Sequence, residues 1–362
     1  MGGNTLDMTK GSAWKLIVQF AVPVFLSQVF QQLYNTADAL IVGRFLGDEA
    51  LAAVSASGPL IFLLISFFTG LSMGAGVTIS RYFGAGDYDR VSRAIHTDVM
   101  LGLISGVILT VVGVWLTPTF LRWMGTAPEV LPDAIAYFRY YFIGVLAVVM
   151  YNMCKSIMNA LGDSKRPLYY LIISSLTNIV LDLLFIRTFG MGVRGAAIAT
   201  VIAQGISVVL CLIYIVTKAK ILLPEKRHFE PDRGLYADLL AQGFSMGFMS
   251  SIIYVGSIVL QPGINSLGYE TIAGHTAARK LFSFSMMPLS SMAQAVNTYV
   301  AQNRGADNRE RVHKGIRYAY LFCFSVTIAL IICVTPFAPT LVRLISGSSD
   351  PTVLGDGARY LR

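Results

Sequence analysis

The sequence predicts an all-α integral membrane protein built from two homologous lobes, and three observations carry that expectation. Hydrophobic residues make up 55% of the 362-residue chain and charged residues only 13%, against about 25% charged in an average soluble domain. The mean hydropathy is +0.63, and apolar stretches of roughly 18 residues or more recur along the whole length, which a soluble core does not need. One residue pattern also occurs twice. Gly84-Ala85-Gly86-Asp87 with Arg90-Val91 returns as Gly305-Ala306-Asp307-Asn308 with Arg311-Val312, an offset of 221 residues. The same offset pairs Ile95 with Ile316, Pro118 with Pro339, Arg122 with Arg343, and Leu46-Gly47-Asp48-Glu49 with Leu267-Gly268-Tyr269-Glu270. A period of this length is too long for a solenoid unit.

The elements follow in order. A polar start, Met1 to Trp14, carries no small-residue cleavage site and leads into an apolar run too long for a signal peptide. That run is the first span, 16–42, and spans over 51–79, 94–117, 135–160, 168–187 and 194–217 come next. After a basic polar stretch, spans over 237–266, 272–300 and 316–337 bring the complete set to nine, and a tenth begins near Gly357. The runs are long and do not alternate with period two, so they are helices rather than barrel strands. Pro23, Pro59, Pro262 and Pro288 fall inside spans, where neighbouring helices or water re-satisfy the freed carbonyls.

Loop charge sets the orientation. Seventeen Lys and Arg residues fall on the side of the N-terminus, and five (Arg44, Arg122, Arg187, Arg194 and Arg343) on the other. The positive-inside rule places the N-terminus in the cytoplasm. The repeat restarts near Tyr236, after six spans. Six is even, so both copies enter the bilayer in the same sense and are related by an axis along the membrane normal. This is the plan of a two-lobed parallel-repeat transporter with 6+6 helices and a central cleft. The expected divisions are an N-terminal lobe over 1–218, a cytoplasmic linker over 219–235 and a C-terminal lobe over 236–362. By the repeat, the second lobe is short of nearly three spans. A fragment is the preferred reading over a naturally incomplete lobe.

Ionisable side chains inside spans are costly and mark function. Asp38 lies on a polar stripe with Gln28, Gln31 or Gln32, and Asn35, at steps of three or four. In the fifth span Asn178 precedes Asp182 by four residues, on one face. Both acids sit roughly 10–13 Å below the outer surface at 1.5 Å per residue, so they can face one cavity. Two carboxylates sharing a poorly hydrated site suit the binding and release of a proton or cation. The second lobe has no acid away from span ends; the position matching Asp38 falls near Val259 or Leu260. Lys155 is close enough to a span end to snorkel, and Asp98 reads as a first-turn residue of the third span, where a carboxylate suits the helix N-terminus. The Gly70–Gly76 stretch reads as close helix packing. Cys154, Cys211, Cys323 and Cys333 lie in apolar runs without metal spacing, and His96, His228, His275 and His313 are scattered. The net charge of +8 is explained by the cytoplasmic loops, so no nucleic acid is expected.

Several stretches together resemble the multidrug and toxic compound extrusion (MATE) family, over essentially the whole length. They are Leu33-Tyr34-Asn35-Thr36-Ala37-Asp38-Ala39-Leu40-Ile41-Val42-Gly43-Arg44, Gly84-Ala85-Gly86-Asp87, Met158-Asn159-Ala160-Leu161-Gly162-Asp163-Ser164-Lys165-Arg166-Pro167 and Asn178-Ile179-Val180-Leu181-Asp182. The resemblance implies a twelve-helix, two-lobed antiporter that exports drugs or toxins, often cationic, in exchange for protons or sodium. The acidic first lobe is similar to the branch of the DNA-damage-inducible protein F. There, the matches to Asp38, Asn178 and Asp182 form the ion-coupling site, and those to Gln31, Tyr34, Asn35 and Thr200 belong to the substrate cavity. Ser245 stands where the family pattern has Pro in the seventh helix. The expected protein is thus a monomer in the plasma (inner) membrane, with no cofactor or metal beyond the coupling ion. The alternative is a lipid-linked oligosaccharide flippase of the same superfamily, which calls for a basic cleft. An enzyme would need a His, Cys or metal constellation at mid-depth, which the sequence lacks, and a passive channel would not need the acids.

Overall fold

The computed structural model describes residues 6–47, 50, 53–54, 58–123, 126, 128–218, 232–265, 269–348 and 350–361. Eleven α-helices are found among them: α1 (Ala13–Leu46), α2 (Gly58–Gly84), α3 (Tyr88–Trp123), α4 (Leu131–Ile143), α5 (Val145–Ala160), α6 (Lys165–Asp182), α7 (Gly192–Lys218), α8 (Arg233–Asn265), α9 (Tyr269–Gly305), α10 (Arg309–Ser346) and α11 (Pro351–Leu361). No strand occurs among the described residues. Seven helices, counting α6 with its continuation, are long and apolar enough to cross a bilayer, and the α4–α5 pair, bent by 49°, adds an eighth. The expected span over 272–300 is α9, 37 residues long but too polar to pass on composition. Its neighbours α1, α2, α10 and α11 pack on it, and Ser291, Thr298, Gln302 and Asn303 of its polar residues are buried against protein.

Three elements depart from the sequence reading. The fourth span breaks at Gly144. Any side chain there would run into Val201 of α7, so only glycine allows α7 this close to the bend. The third span starts at Tyr88, so Asp98 is not a first-turn residue. It lies ten residues into the helix, 3% exposed, with its Oδ2 unpartnered among the described residues. The fifth span ends as α-helix at Asp182 and continues as a π-helix over Leu183–Thr188. Of the expected linker 219–235, residues 219–231 lie outside the described residues, and α8 already begins at Arg233. Asp48, Glu49, Leu267 and Gly268 of the repeat also lie outside them.

The lobes meet as a parallel duplication requires. Helix α1 packs on α9 and α2 packs on α8, the two reciprocal pairings that an axis along the normal generates. The α2–α8 contact is the closest. A Cβ on Gly70 would come within 2.8 Å of Gly247 Cα, and one on Gly74 within 2.6 Å of Gly243 Cα. Each helix therefore presents a small-xxx-small pair, which lets backbones approach within a membrane. At the end carrying the basic loops the reciprocity holds residue by residue. Gly84 abuts the backbone of Gln302, and its repeat mate Gly305 abuts that of Arg81, the mate of Gln302. Arg81 also pairs with Asp238 at 2.8 Å across the lobes.

The chain before α1 completes this seal. Leu6 N–H donates to Gly162 O at 3.3 Å. Met8 is fully buried; its N–H donates to Gln302 Oε1 at 3.0 Å, and its carbonyl accepts from Asn303 Nδ2 and Arg311 Nη2, each at 3.0 Å. Gln302 Nε2 donates to Ala160 O at 2.9 Å. Residues 6–11 thus strap the two lobes together. In the structure the end with the basic loops is closed.

Candidate functional site

The site forms where α1, α6, α7 and α4 converge. On α6, Asn178 and Asp182 are both fully buried, one turn apart on the face toward α1 and α7. With its amide oriented to suit both neighbours, Asn178 donates from Nδ2 to Asp182 Oδ2 at 2.8 Å, and its Oδ1 accepts from Thr200 N–H at 3.2 Å. Asp38 approaches from α1 and lies within hydrogen-bonding reach of the Asp182 carboxyl. A hydrogen bond between two carboxyls needs a proton between them. Each acid keeps a second oxygen, Oδ1, that is buried and has no partner among the described residues. Buried oxygens without donors are expensive, and a bound proton, cation or water would satisfy them.

Tyr34, one turn before Asp38, reaches Thr200 Oγ1 with its hydroxyl at 3.5 Å, and the Thr200 hydroxyl donates to Ala196 O at 3.1 Å. The structure therefore joins five of the seven residues expected from the sequence: Asp38, Asn178, Asp182, Tyr34 and Thr200. Asn35 and Gln31 lie one and two turns before Asp38 on α1, half-exposed. Gln28 leaves the stripe; its Oε1 accepts from Ser290 Oγ at 2.7 Å on α9, so it belongs to the contact between lobes.

Sequence reasoning missed two tyrosines. Tyr137 and Tyr141 of α4 stack at 6.4 Å between centroids, tilted by 21°; Tyr137 lies near Asp38, Asp182 and Tyr34, and Tyr141 near Tyr34. Their spacing of four on one helix face was visible, but nothing local says that α4 packs on α7 beside the acid pair. The π-helix directly after Asp182 was also not legible. Such insertions often mark functional positions, and here it sets the direction in which the chain leaves the acid pair. In the second lobe Val259 and Leu260, the counterparts of Asp38, are 71% and 65% exposed; no acid takes the equivalent place. Lys155 is half-buried, on the face of α5 shared with Asn152 and Asn159. No cluster of three or more His, Cys, Asp or Glu fit to hold a metal occurs among the described residues.

Known proteins share this arrangement of helices. The family model described as MatE matches residues 23–184 and 246–362, one segment in each lobe. A probable multidrug resistance protein of Bacillus subtilis, YpnP, is 30% identical over 359 residues, 98% of this chain and 79% of its own length. A probable multidrug resistance protein NorM of Thermotoga maritima is 27% identical, over 94% of this chain and 73% of its own. A solved structure described as the outward-facing conformation of a multidrug resistance MATE family transporter superposes with a TM-score of 0.89 at 28% identity. It covers 100% of this chain, which spans 80% of that one. A MOP superfamily transporter from Pyrococcus furiosus, whose structure is described as having a binding pocket of reversed polarity, gives the same score and identity. With a family model over most of its length and its helices laid out as in those structures, the chain belongs to the MATE family of multi-pass membrane transporters and is not an enzyme.

Proposed function

We propose that the protein is a cation-coupled antiporter that exports small organic compounds, often cationic, by alternating access. The observation that carries the reading is the Asp38–Asp182 contact, with one buried, unpartnered oxygen on each acid. The pair takes up H⁺ or Na⁺ when its pocket opens outward and releases it when the pocket opens inward. Asn178 and Thr200 orient the carboxyl of Asp182 through the bonds described above, and Tyr34, with Gln31 one turn before it and Asn35 next to it on α1, lines the path of the substrate. Uptake of the ion removes negative charge between α1 and α6, which changes how those helices pack and lowers the hold on a cationic substrate. The acid pair in the first lobe also suits the branch of the DNA-damage-inducible protein F. Loop charge supports a cytoplasmic N-terminus in the plasma membrane. On that orientation the closed end faces the cytoplasm, and the state described is open outward or occluded. The lobes over 1–218 and 236–362 rock about the α2–α8 contact as a monomer.

Everted membrane vesicles test the reading, with uptake of a cationic dye driven by a proton gradient or, in a second arm, a sodium gradient. Asp38→Asn and Asp182→Asn are each expected to abolish gradient-driven uptake while the protein still reaches the membrane. Undiminished uptake by either variant, under both gradients, sinks the assignment.

A further inference from the structure

The outer end of the N-terminal lobe carries a feature that ion coupling does not use. Leu40, Ile41, Arg44 and Phe45 of α1 and Arg187 of the π-helix line an open recess of about 520 Å³. Its volume is in the range of small-molecule sites, ~300–1,000 Å³. Two guanidinium groups border it, and among the described residues no acid does. Arg187 lies over the Phe45 ring, 5.8 Å from its centroid. Neither arginine makes an ion pair among the described residues. Two permanent cations beside one recess repel each other unless an anion lies between them. Two of the five loop arginines that the charge pattern puts on this side, Arg44, Arg122, Arg187, Arg194 and Arg343, share the recess.

We propose that this recess binds the phosphate group of an anionic phospholipid of the outer leaflet. Arginine is the residue suited to this, because its planar fork matches phosphate oxygens in pairs. The walls argue for a lipid over free phosphate. Leu40 is 67% and Phe45 39% exposed, so the site offers apolar side chains to the first acyl carbons beside charge at the headgroup level. Its position gives the ligand a consequence. Arg44 lies six residues beyond Asp38, about 9 Å along the helix, and Arg187 five residues beyond Asp182. A phosphate held by both arginines bridges the two segments that carry the coupling acids, and holds their outer ends together.

The test is native mass spectrometry of the purified full chain titrated with phosphatidylglycerol. Diacylglycerol serves as the ligand without phosphate, and inorganic phosphate as the ligand without acyl chains. Phosphatidylglycerol is expected to bind, and Arg44→Gln and Arg187→Gln each to weaken it roughly tenfold, the size of one lost charge-assisted contact. Arg122→Gln, on the same side of the membrane but outside the recess, is expected to bind as the parent does. Arg44→Lys, which keeps the charge and loses the fork, is expected to bind more weakly than the parent and more tightly than Arg44→Gln; binding no better than that of Arg44→Gln overturns charge as the cause of the loss. Equal binding of diacylglycerol, or unchanged binding in both glutamine variants, overturns the site. Inorganic phosphate that displaces the lipid at equal concentration overturns the lipid as its ligand.

Discussion

Replacing Gln302 with alanine is expected to loosen the seal between the lobes, by an amount the hydrogen bonds around it fix. The side chain is fully buried, takes the Met8 N–H at 3.0 Å and donates to Ala160 O at 2.9 Å. The two losses are unequal. Ala160 O keeps the Ser80 hydroxyl at 3.1 Å, whereas Met8 N–H has no other acceptor among the described residues. An orphaned buried donor costs about 1–3 kcal/mol, and the second bond adds about 0.5–1.5 kcal/mol. In the open state both groups meet water, so the penalty falls on the closed state alone. About 2–4 kcal/mol changes the ratio of closed to open molecules roughly 30- to 1,000-fold. The assay is electron–electron distance measurement between spin labels in place of Arg90 and Arg309, both exposed at the basic-loop end. The four native cysteines are first replaced. A longer distance should appear in Gln302→Ala at the expense of the native one. An unchanged distribution in a folded variant would refute the strap and its glutamine as the closing device.

Three further outcomes are expected. Gly74→Ala places a Cβ 2.6 Å from Gly243 Cα and forces α2 from α8, at about 1–3 kcal/mol; thermal unfolding in detergent should fall, whereas Gly205→Ala, where a Cβ meets nothing within 4 Å, should not lower it. Asn178→Ala removes the donor to Asp182 Oδ2 and should weaken coupling about tenfold or more, at the usual worth of a hydrogen bond to a carboxylate, read as the ion concentration that half-saturates dye efflux in vesicles. Asp98→Asn should leave gradient-driven efflux intact, because Asp98 is packed on the α3 side of the lobe and takes no part in the acid pair; loss of coupling with normal insertion would show that the pair is not the whole coupling site.

The residues of the candidate site were largely legible because charge inside a membrane span is conspicuous. Asp38 and Asp182 stand out by cost alone, and Asn178 by its helical spacing from Asp182. Tyr137, Tyr141 and the π-helix after Asp182 were not legible, since an aromatic in an apolar run looks like any core residue and a π-turn has no local sequence mark. Gln28 shows the converse. Its spacing put it on the stripe with Asp38, but the choice between cavity and lobe contact depended on Ser290, 262 residues away. Asp98 was misplaced because hydropathy marks where the apolar run begins and not where the helix does.

By itself the sequence determined the solvent, the helical class, the duplication and its parallel sense. Each of these follows from one-dimensional quantities: apolar length, basic residues per loop, the offset between repeats and an even number of spans. Tertiary structure alone decided which helices close the cleft, that residues 6–11 strap both lobes, and that two carboxyls from helices some 140 residues apart come within hydrogen-bonding reach of each other. Two arginines facing one recess belong to the same class of fact. These are contacts between distant segments, whose energies depend on ångström-scale approach, and the order of residues along a chain does not encode approach until the helices have packed.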